Sequence, residues 1–311
     1  MVVAMFGLLT LMVLGLVTYV DRALQRTAAL GDYPGRPAGT AGTNWLIVGS
    51  DSRAGLTAEQ EARLATGDEK AASGGRTDTI MLMHLPGLAS AAPPTLVSLP
   101  RDSSVPVPGY GRLKLNATFA LGGPGLLVQT VEQVTGLHVD HYAEIGFGGF
   151  ATLVDDVGGV RLCPPEPISD PLAGLHIPAG CQMLDGPQAL GYVRTRQSPR
   201  ADLDRVVRQR EFLAALVARA SSPAVLLNPF RAGPLVTDAP KAITVDSGDH
   251  IWHLARLGWV MRSLSSGEAA TMTVPIAGFA PVSDGSSGVL WDRRQAGQLF
   301  DALAQDRPPP R

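Results

Sequence analysis

The stretch "NWLIVGSDSR" at 44–53 sets the fold. Its apolar run is four residues long and is closed on both sides by polar residues, which is how a strand buried on both faces reads. Two later stretches repeat the pattern, "TIMLMHL" at 79–85 and "TLVSLP" at 95–100. Helical patterns lie around them. "TAEQEARL" (57–64) opens with Thr57 and Gln60 in a capping-box arrangement. "GPGLLVQTVEQVTG" (123–136) and "GFGGFATLVDDVGG" (146–159) have helical apolar spacing with glycine stops, the second leading into a strand "VRLC" (160–163). Further on come a helix around "HIWHLARLGWVMRSL" (250–264), a strand-like "TMTVPIAGF" (271–279) and a helix around "RQAGQLFDALA" (294–304). Strands interleaved with helices of this length indicate an α/β layered domain. No internal repeat is apparent.

The chain has 311 residues, is 45% hydrophobic and carries a net charge of −2. That balance argues against a nucleic-acid partner, which needs a broad basic face. Residues 1–20 form an uncharged run of the length that spans a hydrocarbon core, read as a transmembrane anchor with a signal segment as the alternative. No basic residue precedes the run while Arg22 and Arg26 follow it, an orientation cue against an exported domain that a missing upstream cytoplasmic stretch would explain. Residues 21–43 read as a juxtamembrane linker, with the folded domain beginning near Asn44 and running to about 220, and 221–311 continuing the same domain. Cys163 and Cys181 flank a proline-rich loop. An even cysteine count behind such an anchor suggests one disulfide and an oxidising, extracytoplasmic location, against the alternative of two separate buried thiols.

The charged residues gather at strand ends. The first strand delivers Asp51 and Arg53, the second begins with Arg76 and Asp78, and the third stops at Pro100 and delivers Arg101 and Asp102. Strand-end loops are where α/β sheets place ligands. Two carboxylates there suit a hard divalent cation such as Mg²⁺, the alternative being turn-formers or ion-pair partners of the neighbouring arginines. A second cluster lies in "GYVRTRQSPRADLDRVVRQREFL" (191–213). Taken as extended, "LGYVRTRQ" puts Arg194 and Arg196 on one face with Leu190 and Tyr192. In a helix beginning near Asp202, Arg205 and Gln209 share a sector with Phe212 and Leu216, with Arg208 on its flank and Arg210 turned away; Arg200 falls in the loop. An inward-facing set of Arg194, Arg196 and Arg205 requires an anion, which phosphate or pyrophosphate supplies, or else an ion-pair network with nearby acids.

These motifs occur in the order found in the LytR-CpsA-Psr phosphotransferases of Gram-positive and actinobacterial envelopes. "NWLIVGSDSR", "GGRTDTIML", "LVSLPRDSSVPVPGYGRLKLNATFALGG", "DHYAEIGFGGFATLVDDVGGVRLC" and "LDGPQALGYVRTRQ" followed by "ADLDRVVRQREFL" carry the resemblance over about 44–216. It implies an α-β-α sandwich with a central mixed sheet and a hydrophobic channel for a prenyl chain, lined by helices around Leu126–Val134 and Phe147–Val154. The implied reaction moves a glycopolymer, arabinogalactan or a similar wall polymer, from a polyprenyl-pyrophosphate carrier onto a peptidoglycan hydroxyl at the cytoplasmic membrane. On matching positions, Asp51 and Asp78 would hold Mg²⁺ or Mn²⁺. Arg101, Arg194, Arg196, Arg205 and Gln209 would bind the pyrophosphate, with Arg76 assisting, and Asp78, Arg101, Arg194 and Arg196 would be catalytic. A pyrophosphatase of the same lipids and a non-catalytic polyprenyl-phosphate binder are the rival readings. A departure from the family pattern is the long polar run between Arg53 and Arg76.

Overall fold

The computed structural model describes residues 2–53, 56–67, 75, 77–197, 202–282 and 285–310. Helix α1 (Val2–Ala23) includes a 19-residue stretch, Met5–Ala23, long and apolar enough to cross a bilayer. There follow β1 (Gln25–Thr27), β2 (Thr43–Ser50), α2 (Ala58–Arg63), β3 (Thr77–Leu85) and β4 (Thr95–Ser98). Next come the hairpin β5 (Ser104–Val107) and β6 (Gly111–Lys114), then α3 (Ala117–Thr135), β7 (His141–Ile145) and α4 (Phe147–Asp156). Four short strands, β8 (Val160–Leu162), β9 (Ile168–Asp170), β10 (Leu175–Ile177) and β11 (Gln182–Leu184), form two ribbons, β8 with β11 and β9 with β10. The helical segment is α5 (Gly186–Arg194), α6 (Asp202–Ala220), α7 (Pro223–Leu226), α8 (Pro229–Thr237) and α9 (Ala239–Ala242). The chain closes with β12 (Ile243–Asp246), α10 (Ile251–Ser266), β13 (Ala270–Thr273), β14 (Ile276–Pro281), β15 (Ser287–Trp291) and α11 (Arg293–Ala304).

Among the described residues, seven strands make the central sheet in the order β1-β12-β7-β2-β3-β4-β13. Strands β2 and β7 pair parallel, while β2–β3 and β3–β4 pair antiparallel, so the sheet is mixed. Alternation along each strand feeds two cores. Leu46, Val48, Ile80 and Leu82 pack with Leu127 and Val131 of α3 and Leu299 and Leu303 of α11. Trp45, Met81, Met83 and Leu85 pack on the opposite face with Leu257, Met261 and Leu264 of α10. Both faces are covered, which is why these strands read as unbroken apolar runs and why the architecture is an α-β-α sandwich. A third core, built from α4, α5, α6 and the ribbons, includes Val154, Leu190, Tyr192 and Phe212.

Two expectations fail here. The segment 21–43 is not a free linker: β1 pairs parallel with β12 at the sheet edge. The chain beyond β1 is docked as well. The Ala29 and Leu30 amides donate to Asp246 Oδ1 at 2.9 and 2.8 Å, Tyr33 donates its hydroxyl to Glu132 at 2.8 Å, and Arg36 donates to the same carboxylate at 3.1 Å. The polar triplet Gln25–Thr27 has no local strand pattern; its pairing is decided by a strand more than two hundred residues away. The second failure is "LGYVRTRQ", which is helical through Arg194. Asp185 caps that helix, accepting from Gln188 N while Gln188 returns a bond to the Asp185 amide, and Pro187 sits in the first turn. The period-two face therefore does not exist. Cys163 and Cys181 are joined in a disulfide.

Candidate functional site

The site is built where β2 and β4 end and β3 begins. Gly49 pairs with Thr79 and Ser50 pairs with Thr77, so the ladder slips by one residue and Asp78 is the extra residue of a bulge. Bulges re-aim side chains. Here the Asp78 carboxylate meets the Arg101 guanidinium, which arrives from the turn after β4 and forms both an ion pair and a hydrogen bond with Oδ1. Arg205, in the first turns of α6, lies 3.3 Å from the same oxygen and also donates to the Asp78 main-chain carbonyl.

Arg205 is only 4% exposed and Asp78 21%. Burial raises the Asp78 pKa, but the charges of Arg205, Arg101 and Arg194 outweigh it, and the carboxyl is held below its ordinary value. Asp78 is therefore an anion at neutral pH. Asp102 belongs to a neighbouring pair, 3.4 Å from Lys114 Nζ and 3.5 Å from Arg101 Nε.

Arg194 stands at the C-terminal turn of α5. Its two terminal nitrogens donate to the carbonyls of Leu64 and Ala65 at 3.1 and 3.2 Å, and its guanidinium lies 4.8 Å from the centre of the Phe147 ring. Burial lowers its pKa, an effect opposed by Asp78, Asp170 and Asp51, while Arg53 adds to it. Asp51 and Asp78 thus act on one guanidinium. Gln209, one helical turn beyond Arg205, is buried and donates to Val193 O at 3.3 Å, so it ties α6 to α5.

Asp78, Arg194 and Gln209 line a cavity of about 40 Å³ together with Ile145, Phe147, Phe150, Leu190 and Val193. Charged and polar groups beside aromatic and aliphatic ones make it an amphipathic cleft. Of the two helices expected beside a channel, α4 lines this cleft, whereas Leu127, Val128 and Val131 of α3 are buried in the core on the sheet face shared with α11.

The structure thus brings together Asp78, Arg101 and Arg205 in direct contact, with Arg194 and Gln209 along the same cleft. Arg196, two residues past the end of α5, is exposed rather than inward; the expected face rested on an extended backbone that is absent. Arg210, expected to turn away from the apolar sector, is partly buried, and burial lowers its pKa. Arg76 and Arg200 lie outside the described residues. Two further arginines, given no inward role by the sequence pattern, also take part. Arg208 donates to Thr195 O at 2.7 Å, and Arg53 bonds Thr66 O while acting on Arg194. The signal for Arg53 was its place two residues after Asp51 at a strand end. The bulge that aims Asp78 had no local signal.

The LytR_cpsA_psr family model matches residues 25–305. Among curated proteins, the chain is 57% identical over 266 residues to "Probable cell wall biosynthesis protein LcpB" of Corynebacterium glutamicum, covering 86% of this chain and 62% of that protein. It is 35% identical over 350 residues to "Cell wall biosynthesis protein LcpA" of the same organism, covering 99% of this chain and 66% of that protein. The chain therefore spans less than two thirds of the length of either relative. Among solved structures it resembles the "LytR-Csp2A-Psr enzyme from Actinomyces oris", with a TM-score of 0.66, 25% identity, and coverage of 91% of this chain and 95% of that one.

Proposed function

Taking as premise that the chain belongs to the LytR-CpsA-Psr family, we propose that it is a cell-wall glycopolymer phosphotransferase acting on a polyprenyl-pyrophosphate-linked glycan. The carrying observation is the contact of Arg101 and Arg205 with Asp78, which together with Arg194 lines the cleft that also holds Phe147 and Phe150. Planar donor forks match pyrophosphate oxygens, and an apolar wall matches the first units of a prenyl chain. In the reaction, a peptidoglycan hydroxyl attacks the phosphorus that bears the glycan. The bond from that phosphorus to the bridging oxygen breaks, a phosphodiester forms, polyprenyl phosphate leaves with the electron pair, and the hydroxyl proton passes to a base. Such transfer depends on positioning and on charge neutralisation around the phosphates, so no protein nucleophile is needed.

A divalent cation fits the donors present. Asp51 follows the last residue of β2 and Asp78 is the bulge residue of β3, and the buried hydroxyls of Ser50 and Thr77, paired across the ladder beside them, make no hydrogen bond and add oxygen donors, with Asp78 Oδ1 shared with Arg101 and Arg205. Asp51 and Asp78 would hold Mg²⁺ or Mn²⁺, which would supply positive charge against the pyrophosphate. Arg101, Arg205 and Arg194 do the rest by binding and orienting its oxygens. The reading places the domain on the extracytoplasmic side of the membrane crossed by α1, in agreement with the Cys163–Cys181 disulfide.

The test incubates the protein with a short-chain polyprenyl-pyrophosphate-linked glycan and peptidoglycan fragments, with and without Mg²⁺. The expected result is release of polyprenyl phosphate together with glycan covalently attached to peptidoglycan. Release without attachment would instead identify a pyrophosphatase, and lipid binding without release would leave only a binding protein.

A further inference from the structure

The end of α1 and the start of α10 are clamped together. Asp21 Oδ1 accepts from the Ile251 amide at 2.9 Å, and its carboxylate lies 3.2 Å from His250 Nδ1. Arg26 bridges the joint, 3.0 Å from Asp21 Oδ2 and 3.4 Å from the Asp249 carbonyl. Helix α10 therefore begins at the level where α1 ends. Its inner face packs Leu257, Met261 and Leu264 against the sheet.

Its outer face shows Trp252 at 53% and Trp259 at 72% exposure. Seven residues apart, they share one side of the helix, with Arg256 between them and Arg262 following; all four are exposed. The Arg262 guanidinium sits 5.1 Å from the Trp259 ring centre. The helix sequence contains no acidic residue. Phe230 of α8, an element that also packs against α1, is 88% exposed.

Large indoles left in water are unusual for a protein face without a partner. Indole with arginine and no acid is the chemistry of the bilayer interface, where rings sit at headgroup level and guanidinium groups meet anionic phosphates. We propose that the outer face of α10 is an interfacial surface that seats the domain on the anionic phospholipid headgroups beside α1. The proposal rests on the reading of α1 as a membrane span. Continuity with α1 singles out the lipid surface over a protein partner, because the Asp21 clamp sets the start of the tryptophan face beside the end of the span.

The full chain is reconstituted in vesicles of phosphatidylcholine and phosphatidylglycerol carrying brominated acyl chains, and tryptophan emission is compared with that of a W252F/W259F variant. The expected result is quenching in the unsubstituted chain, strongest for bromine near the headgroup end, and its loss in the variant, where Trp45 and Trp291 remain. Equal quenching in both, or none in the unsubstituted chain, overturns the proposal. Alkaline carbonate extraction reads the anchor separately. A chain retained in vesicles but unquenched defeats the seating surface alone, and a chain released yet quenched defeats the anchor alone. Concentration-dependent cross-linking through Trp259→Cys, with no quenching, would assign the face to a second copy of the chain and also overturn the proposal.

Discussion

Asp78→Asn separates two roles of one carboxylate. In the structure Asp78 is the anion that occupies Arg101 and Arg205, the side chains proposed to bind pyrophosphate. A ligand phosphate must share or displace it. Unit charges about 4 Å apart interact by roughly 4 kcal/mol at the effective dielectric of a partly exposed site. Most of that is offset when phosphate oxygens replace the carboxylate, and the side-chain exposures of 18% for Arg101 and 21% for Asp78 screen the remainder further. Relief of competition and of repulsion then leaves about 1–2 kcal/mol in favour of the ligand, or about 5- to 30-fold in affinity. Calorimetric titration of geranylgeranyl pyrophosphate in EDTA should show Asp78→Asn binding more tightly than the unsubstituted chain, while transfer activity in Mg²⁺ falls by orders of magnitude. Weaker binding by a folded Asp78→Asn protein in EDTA would refute the reasoning. It would mean that Asp78 organises the arginines for the ligand and does not compete with it.

Arg205→Lys keeps the charge but loses the planar guanidinium that can present parallel donors to phosphate oxygens while its Nη2 holds the Asp78 carbonyl and carboxylate, so pyrophosphate affinity should fall about tenfold or more, by about 1.5–3 kcal/mol for a charged hydrogen bond, in the same titration. The Asp78 pKa is lower folded than unfolded, so its stabilisation is complete above the unfolded value near 4 and is lost as pH falls through the folded one; melting temperatures from pH 6 to 2 should drop less steeply for Asp78→Asn. Reducing Cys163–Cys181, with a sequence separation of 18, should cost about 3 kcal/mol on chain-entropy grounds, seen as a lower melting temperature with dithiothreitol and none in the Cys163→Ser/Cys181→Ser variant. Arg36→Ala strips an ion-pair partner from Glu132, which is fully buried, and should cost about 3–5 kcal/mol in denaturant unfolding; a surface-like value below 1 kcal/mol would mean that residues 28–42 are not docked in solution.

What the sequence shows depends on how local the cause is. Strands β2, β3 and β4 are legible because burial on both faces leaves an uninterrupted apolar run. The inward placement of Arg205 and Gln209 is legible because one helical period links them to Phe212, and all three are buried. For Arg194 the strand pattern points inward for the wrong physical reason. "YVRTR" alternates like a strand, yet the Asp185–Gln188 capping box and Pro187 lie just upstream and are the stronger signal. The helix still delivers Arg194 to the cleft because it is the last helical residue, and the same ending leaves Arg196 exposed. Causes that join distant segments left no trace: the β1–β12 pairing, the Asp246 bonds that dock Ala29 and Leu30, and the bulge that turns Asp78 toward two arginines.

The way the arginines are held bears on what they can bind. Arg194 is pinned by the Leu64 and Ala65 carbonyls, Arg205 partly by the Asp78 carbonyl, and Arg208 by the Thr195 carbonyl. A carbonyl satisfies N–H donors and fixes a guanidinium in place without cancelling its charge, whereas a carboxylate cancels it. Main-chain pinning therefore preserves positive potential in a partly water-excluded cleft, at positions fixed before any ligand arrives. If Leu64 and Ala65 moved away, Arg194 would lose that support, so the segment after α2 is coupled to the cleft through Arg194, and Arg53, which bonds Thr66 O, holds the same segment. The turn after α2 thus meets the cleft through the Leu64 and Ala65 carbonyls.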